Sequence, residues 1–157
     1  MTDISNYLIP LDNLDLTKVL SDWLWLTGGD KSIIALMKSG DMLLTGNNSE
    51  LYFLDVGNGD LSLMEGTYED LLGLGFQSEI VDEILLSSLV DELFASGLKL
   101  KQNQVFSYTT LPILGGRYDS ENMYPLDLYE HYSLSGEIHF KLKDLPDGTD
   151  VKIVVTD

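Results

Sequence analysis

The sequence contains no cysteine, which excludes disulfides, thiol catalysis and thiolate metal sites. Lysine and arginine are scarce: 9 of them face 26 aspartates and glutamates, so the formal net charge is -17. No stretch offers the roughly 18 to 20 uninterrupted apolar residues of a membrane span, and the N-terminus lacks the basic start of a signal peptide. We therefore expect a cytoplasmic protein that binds neither nucleic acid nor anionic membranes.

Motifs of the common enzyme classes are also missing. There is no Gly-x-Ser-x-Gly elbow, no phosphate-binding Gly-Lys-Ser/Thr loop and no dinucleotide fingerprint, so the sequence predicts no catalytic residues and no cofactor. The segment from Asp55 to Asp60 resembles a calcium loop in composition only. It lacks the alternate ligands and the twelfth-position Glu of an EF-hand, and its flanks have strand character, so we interpret it as a hairpin turn.

Two histidines, His131 and His139, are the remaining candidates for chemistry. Eight residues apart on a helix, they point about 80° away from each other and converge poorly on a metal. We therefore interpret them as partly buried helix residues and predict no metal site. A small hydrolase that pairs one of them with Asp127 or Glu137 is the weakest of the functions considered, because no nucleophile lies beside either histidine.

The chain of 157 residues contains enough apolar residues to form the hydrophobic core of one domain. Helical spacing of apolar residues predicts helices over 15–26, 68–74, 79–95 and 126–142, the last with Pro125 in its first turn, and a short helix that begins at Asp30 and carries Ile33, Ile34 and Leu36. Period-two patterns predict strands over 42–44, 51–54, 61–64, 105–109 and 151–156. Residues 111–116 are predicted to form a structured loop.

These elements indicate an α+β fold with a single domain, in which an antiparallel β-meander and further short strands pack against several α-helices. We assign residues 1–14 to an N-terminal leader and 15–157 to the domain.

The acidic residues are unevenly placed along the chain. Between Lys38 and Lys99 no Lys or Arg occurs, while twelve acids do: Asp41, Glu50, Asp55, Asp60, Glu65, Glu69, Asp70, Glu79, Asp82, Glu83, Asp91 and Glu92. Such a field speeds encounters with a basic protein, although acidic surfaces also serve solubility alone.

Spaced motifs in the second half of the chain carry a family resemblance. They are Tyr108-x-x-Leu111-Pro112-x-Leu114-Gly115-Gly116-x-Tyr118 in order of occurrence, Glu121-Asn122, His131-Tyr132-Ser133-x-x-Gly136-x-Ile138-His139 and Leu145-Pro146-Asp147-Gly148, with Trp23, Gly40-Asp41, Tyr52-Phe53-Leu54-Asp55 and Gly59-x-Leu61 upstream. Over about residues 15–155 the chain resembles the C-terminal domain of type VI secretion immunity proteins that neutralise a DNase effector. Longer members of that family carry an additional N-terminal domain, and we expect this sequence to correspond to the C-terminal module with a short leader.

The resemblance implies a binding protein whose partner is a basic, nuclease-like effector. The candidate partner-binding residues are Asp60, Glu65, Glu69, Asp70, Asp82, Glu83, Asp91, Glu92, Arg117, Tyr118 and Glu121. A structural or regulatory module whose charge only provides solubility is the alternative, and the effector, the binding face and the oligomeric state stay open.

Overall fold

A computed structural model describes residues 3–73 and 78–152, with only the backbone of Ser78. The α-helices are α1 (Leu16–Leu20), α2 (Leu24–Thr27), α3 (Tyr68–Leu72), α4 (Ser78–Leu85), α5 (Ser87–Ala95) and α6 (Leu128–Leu142). The strands are β1 (Leu8–Ile9), β2 (Ser32–Met37), β3 (Met42–Thr45), β4 (Leu51–Asp55), β5 (Asp60–Met64), β6 (Gln104–Tyr108) and β7 (Met123–Asp127). Short 3-10 helices span Ile4–Tyr7, Ser21–Trp23, Pro112–Leu114 and Ser120–Asn122.

An antiparallel sheet in the order β1-β2-β3-β4-β5 forms the centre of the molecule, and β6 and β7 form a separate hairpin. Strands β3 and β4 pair without interruption from Met42 opposite Leu54 to Thr45 opposite Leu51. The predicted meander is therefore confirmed as β3, β4 and β5, which form one side of a larger sheet that ends at β5. Consecutive side chains of a strand point to opposite faces, so both faces of this apolar sheet need cover.

Helices supply that cover on both faces. Leu44 belongs to the cluster that contains Val19, Trp23 and Tyr132, so α1 and α6 pack on its side of the sheet. Its neighbour Leu43 belongs to a second cluster, in which the sheet meets α3, α4 and the first 3-10 helix. A third cluster joins α5 to the β6–β7 hairpin. The predicted α+β class is confirmed by this arrangement.

The predicted short helix after Asp30 is wrong, because residues 32–37 form β2. The β-branched Ile33 and Ile34 favour a strand, and β3 offers them a pairing edge. A register shift between Ile33 and Ala35 inserts Ile34 as an extra residue. That irregularity disturbs the period-two pattern, which is why the sequence shows no clean alternation here.

The predicted single helix over 79–95 is also wrong, because it breaks at Leu86. This residue adopts the left-handed conformation, with φ 49° and ψ 45°, between α4 and α5. Helix α4 packs on the sheet, whereas α5 packs on the β6–β7 hairpin. One straight helix cannot face both clusters, so tertiary packing outweighs the local cost of the left-handed residue.

The sequence patterns do not predict strand β7, which precedes the last helix. Pro125 lies in β7, opposite Phe106 of β6, and not in the first turn of a helix. Proline is tolerated there because a two-stranded hairpin leaves each strand one edge on which no ladder donor is needed. Helix α6 begins only at Leu128, after Asp127 accepts a hydrogen bond at 3.1 Å from the backbone N–H of Glu130 as its N-cap.

Other predicted elements are confirmed, including α3, β6 and the loop over residues 111–116. The helix predicted over 15–26 is present with a 3-10 turn at its centre. In the strand predicted over 151–156, Val151 and Lys152 have no regular secondary structure, and the remainder lies outside the described residues.

Gly136 explains how α6 reaches the other helices. A Cβ at this position would lie 2.6 Å from the backbone oxygen of Asp22 and 3.0 Å from Nε1 of Trp23. The intrinsic cost of glycine in a helix is about 1 kcal/mol relative to alanine. Here it is offset because the missing side chain lets α6 approach the 3-10 turn that carries Trp23.

Candidate protein-binding surface

The turn between β4 and β5 is organised by a carboxylate. Asp55 accepts hydrogen bonds from the backbone N–H of Asn58 at 3.2 Å and from its side-chain amide at 3.1 Å. The same amide donates to the hydroxyl of Tyr118 at 2.7 Å. This segment is the hairpin turn that its sequence predicts, and it reaches Tyr118 on a distant loop.

Tyr118 is the exposed aromatic of this region. Its side chain is 48% exposed, and its ring meets the buried ring of Tyr108 edge-on at a centroid distance of 5.9 Å. Burial of part of the ring raises the pKa of Tyr118, and the charges of Asp55 and Asp60 contribute in the same direction. Tyrosine is enriched at protein interfaces because it offers an apolar ring and a polar hydroxyl group.

A second acidic group lies where α4 and α5 meet the N-terminal 3-10 helix. The hydroxyl of Tyr7 donates to Oδ1 of Asp91 at 2.8 Å, across 84 positions of sequence. Burial raises the pKa of Tyr7 to about 12, and the bond to Asp91 and the charges of Asp91 and Asp82 add to the shift. Asp82 also accepts a hydrogen bond from the hydroxyl of Ser87 at 2.9 Å. Sequence reasoning named both aspartates and missed Tyr7, because nothing local signals a contact at that separation.

The loop that follows Gly116 links the two groups. The hydroxyl of Ser120 donates to Glu92 on α5 at 3.3 Å, while Tyr118 of the same loop contacts Asn58. Asp119 holds this loop by an ion pair with Arg117 at 3.1 Å and by accepting the backbone N–H of Glu121 at 3.1 Å. We call these residues, together with Asp60, whose charge acts on Tyr118, the acidic ridge: Tyr7, Asp55, Asn58, Asp60, Asp82, Asp91, Glu92, Arg117, Tyr118, Asp119, Ser120 and Glu121.

Four further predicted candidates, Glu65, Glu69, Asp70 and Glu83, are not members of the ridge. Glu65 directly follows β5, whereas Glu69 and Asp70 lie in the first turn of α3, where Asp70 accepts the backbone N–H of Thr67 at 2.8 Å in a capping box. Glu83 is exposed on α4.

Asp41, one of the twelve acids, lies in the interior and contributes nothing to a surface. It is 3% exposed, and its Oδ1 accepts the backbone N–H of Val56 at 2.8 Å. Burial raises the pKa of Asp41 well above its usual range, and the charge of Asp55 acts in the same direction. Its backbone oxygen accepts the hydroxyl of Tyr132 at 3.1 Å, so it ties the β2–β3 turn to α6.

Both histidines fix turns of the sheet to α6. His131 lies 2.9 Å from the backbone oxygen of Gly40 through Nε2 and 2.8 Å from the hydroxyl of Ser107 through Nδ1. A carbonyl only accepts, so Nε2 carries the proton and Ser107 donates to Nδ1. Nε2 of His139 likewise donates to the backbone oxygen of Val56 at 2.7 Å.

The two rings diverge as their spacing predicts, and they are more buried than expected, at 1% and 3% exposure. Burial lowers the pKa of His131 to about 4 and also lowers that of His139. Both ring nitrogens of His131 are used by Ser107 and Gly40, so this histidine is not paired with Asp127 or Glu137 as a hydrolase would require.

A pH dependence of stability follows from His131. Its folded pKa of about 4 is below its ordinary value of 6.5, so the fold requires the neutral ring. That contribution is complete above pH 6.5 and is lost as the pH falls toward 4, by about 3 kcal/mol. Between pH 7 and pH 4 we expect the free energy of unfolding, measured by urea titration, to fall by about 3 kcal/mol more for the wild type than for His131→Gln.

The His131→Gln variant is the control for the many carboxylates, which titrate equally in both proteins. Parallel curves for the two proteins over this pH range would contradict the assignment of a neutral buried imidazole.

The described residues, 3–73 and 78–152, hold no group of three or more His, Asp or Glu placed to bind a metal. A cavity of about 300 Å³ lies beside β1, and its lining contains no acid and no histidine: Ser5, Leu8, Ile9, Pro10, Leu11, Ile34, Ala35 and Tyr68. Within the same residues no helix is long and apolar enough to cross a membrane. Among the described residues the acidic ridge is the candidate protein-binding surface, since Tyr7, Asn58 and Ser120 hold its carboxylates in place by hydrogen bonds.

Comparison with known families bears on this site. Residues 67–139 match the family model of "T6SS immunity protein Tdi1, C-terminal". This match supports a place among the type VI secretion system immunity proteins. The Tdi1-like segment runs from the cap of α3 to His139 on α6, which is narrower than the range over which the motifs suggest a resemblance. It contains the ridge residues of α4, α5 and the loop after Gly116.

Solved structures support the fold. Three chains match, among them the "Crystal structure of Atu4351 from Agrobacterium tumefaciens", with a TM-score of 0.55 and 20% identity. The alignment covers 79% of this chain and 65% of that one, so this chain spans less than two thirds of its length. No curated protein matches. At this identity the likeness concerns the fold alone.

Proposed function

We propose that this protein is a cytoplasmic immunity protein that neutralises a type VI secretion effector by direct binding, and that the effector is a basic nuclease. The observation that carries the proposal is the match of residues 67–139 to the Tdi1 C-terminal family model. This segment includes Asp82, Asp91, Glu92 and Tyr118, which belong to the acidic ridge.

The charge of the chain supports the basic character of the partner. Its net charge of -17 repels nucleic acid and attracts a protein whose surface is built to bind phosphates. Carboxylates of the ridge would occupy positions where that surface receives phosphates. Tyr7, Asn58 and Ser120 hold several of these carboxylates in place, which lowers the entropy lost on binding.

The test is purification of the chain together with the effector encoded beside its gene. We expect a stable complex on gel filtration, loss of the effector's nuclease activity in that complex, and a dissociation constant that rises steeply with salt as the charges are screened. An unrelated basic protein of similar size serves as the control and should not co-elute.

Failure to form a complex at low salt would contradict the proposal and favour a structural or regulatory module with a solubilising surface. A complex that leaves the nuclease active would contradict neutralisation while retaining the partner.

A further inference from the structure

Strand β5 ends the five-stranded sheet, with β4 on one side. Among the described residues no backbone hydrogen bond reaches its other side. Ser62 is exposed, and Leu63 is 66% exposed although it is a large apolar residue. In an antiparallel pair alternate residues direct their N–H and C=O groups away from the partner strand. With respect to residues 3–73 and 78–152, the outer side of β5 therefore presents donors and acceptors in strand geometry that have no backbone partner.

Several devices that usually block an exposed edge are missing from β5. Proteins protect edges with bulges, prolines and lysines, which interrupt the geometry or the approach of another strand. The sequence from Asp60 to Met64 contains no proline, lysine or arginine. Its five pairs with β4 run without a register shift, in contrast to the irregular β2–β3 pairing. The edge is regular enough to accept one more strand.

The acids at the two ends of β5 determine which strand it can accept. Asp60 begins the strand, and Glu65 follows its last residue. In an antiparallel pair of two copies centred on Ser62, Asp60 of one chain would lie opposite Met64 of the other, so each end of the pair would carry Asp60 of one chain and Glu65 of the other. Two chains of net charge -17 would also repel each other. A second copy is thus disfavoured, and a segment with basic residues at its ends is favoured.

We propose that β5 binds an extended segment of the basic partner as a sixth strand of the sheet. Lys or Arg side chains at the ends of that segment would face Asp60 and Glu65, and an apolar side chain would cover Leu63. Main-chain hydrogen bonds supply affinity in this mode of recognition, and flanking side chains supply specificity. This inference rests on the proposed function, because it assigns the partner's contact to one strand.

Amide hydrogen exchange of the full chain, alone and bound to the effector encoded beside its gene, tests the inference. We expect the outward N–H groups of β5 to exchange about tenfold or more slowly in the complex, since they acquire acceptors. The exposed amides of residues 147–150 provide an internal reference that should not change.

Proline substitution provides a matched second test. Of two adjacent strand residues, one N–H points to β4 and the other to solvent, so Ser62→Pro and Leu63→Pro differ in which side they disrupt. The variant that keeps its thermal unfolding transition identifies the outward N–H. We expect it to bind the effector about tenfold more weakly than the alanine variant at the same position, which keeps the N–H.

The possible results separate the inference from the proposed function. Suppose that a complex forms, that the β5 amides exchange in it as in the free chain, and that the proline and alanine variants bind equally well. This result overturns strand addition but leaves the proposed immunity function intact. If both proline variants unfold, the exchange measurement alone decides. Absence of any complex removes the proposed function and this inference with it.

Discussion

Neutralising Asp60, Asp91 and Glu92 together, as Asp60→Asn, Asp91→Asn and Glu92→Gln, is expected to slow association with the basic effector about 30-fold at low ionic strength. These residues lie on three parts of the acidic ridge: the β4–β5 turn, the contact with Tyr7 and the contact with Ser120. Amide replacements keep the side-chain oxygens that accept hydrogen bonds, so the fold should persist while the field weakens.

Stopped-flow or surface-plasmon measurement of the association rate at several salt concentrations checks this expectation. The control is Asp12→Asn, Asp147→Asn and Asp150→Asn, which makes the same change in net charge at exposed positions outside the ridge. The difference between the two triple variants should shrink at high salt. Equal slowing by both would show that overall charge, and not the ridge, directs the encounter.

Replacement of Trp23 by alanine is expected to lower the free energy of unfolding by about 4 kcal/mol. Trp23 has no exposed surface, and its Nε1 donates to the backbone oxygen of Tyr132 on α6 at 2.9 Å. It also contacts the ring of His139 at 5.5 Å, so one side chain joins the first helical segment to α6 and to the histidine that holds the β4–β5 turn. Loss of that volume leaves a cavity where three elements meet.

Trp25→Ala is the matched control, since Trp25 stacks on Trp23 at 6.1 Å but is only half-buried. Trp25→Ala should lower the free energy of unfolding by about 1 to 2 kcal/mol, because it removes less buried apolar area than Trp23→Ala and leaves no enclosed cavity. Because Trp23→Ala risks complete unfolding, Trp23→Phe provides a milder case that keeps a ring and removes the N–H donor. Equal destabilisation by Trp23→Ala and Trp25→Ala in urea titrations would contradict the central role of Trp23.

Local signals explain which elements could be predicted from sequence. Strand β3, the β4–β5 turn and the N-cap Thr67 were found because short apolar runs, turn residues and a capping pattern act over a few positions. The strand at Ile33 and the strand at Pro125 were missed for a different reason. Each depends on a pairing partner, β3 or β6, that supplies an edge and overrides the local preference.

The break at Leu86 follows the same logic. Apolar residues continue at helical spacing through it, so the sequence pattern favours one helix over 79–95. Only the presence of two separate surfaces, the sheet and the β6–β7 hairpin, makes a bend more favourable than a straight continuation. The candidate site shows this limit too, since the bond between Tyr7 and Asp91 joins residues that no local pattern connects.

By itself the sequence determined the α+β class, the excess of carboxylates and the motifs behind the family resemblance, because composition and short-range spacing are properties of the chain. The tertiary structure alone decided which acids share a surface: it buried Asp41, left Glu69 on a separate helix and linked Asp55 to Glu92 through Asn58 and the loop of Tyr118 and Ser120. The reason is that burial and long-range contacts depend on how the faces of helices and strands pack together. The order of charged residues along the sequence does not specify that packing.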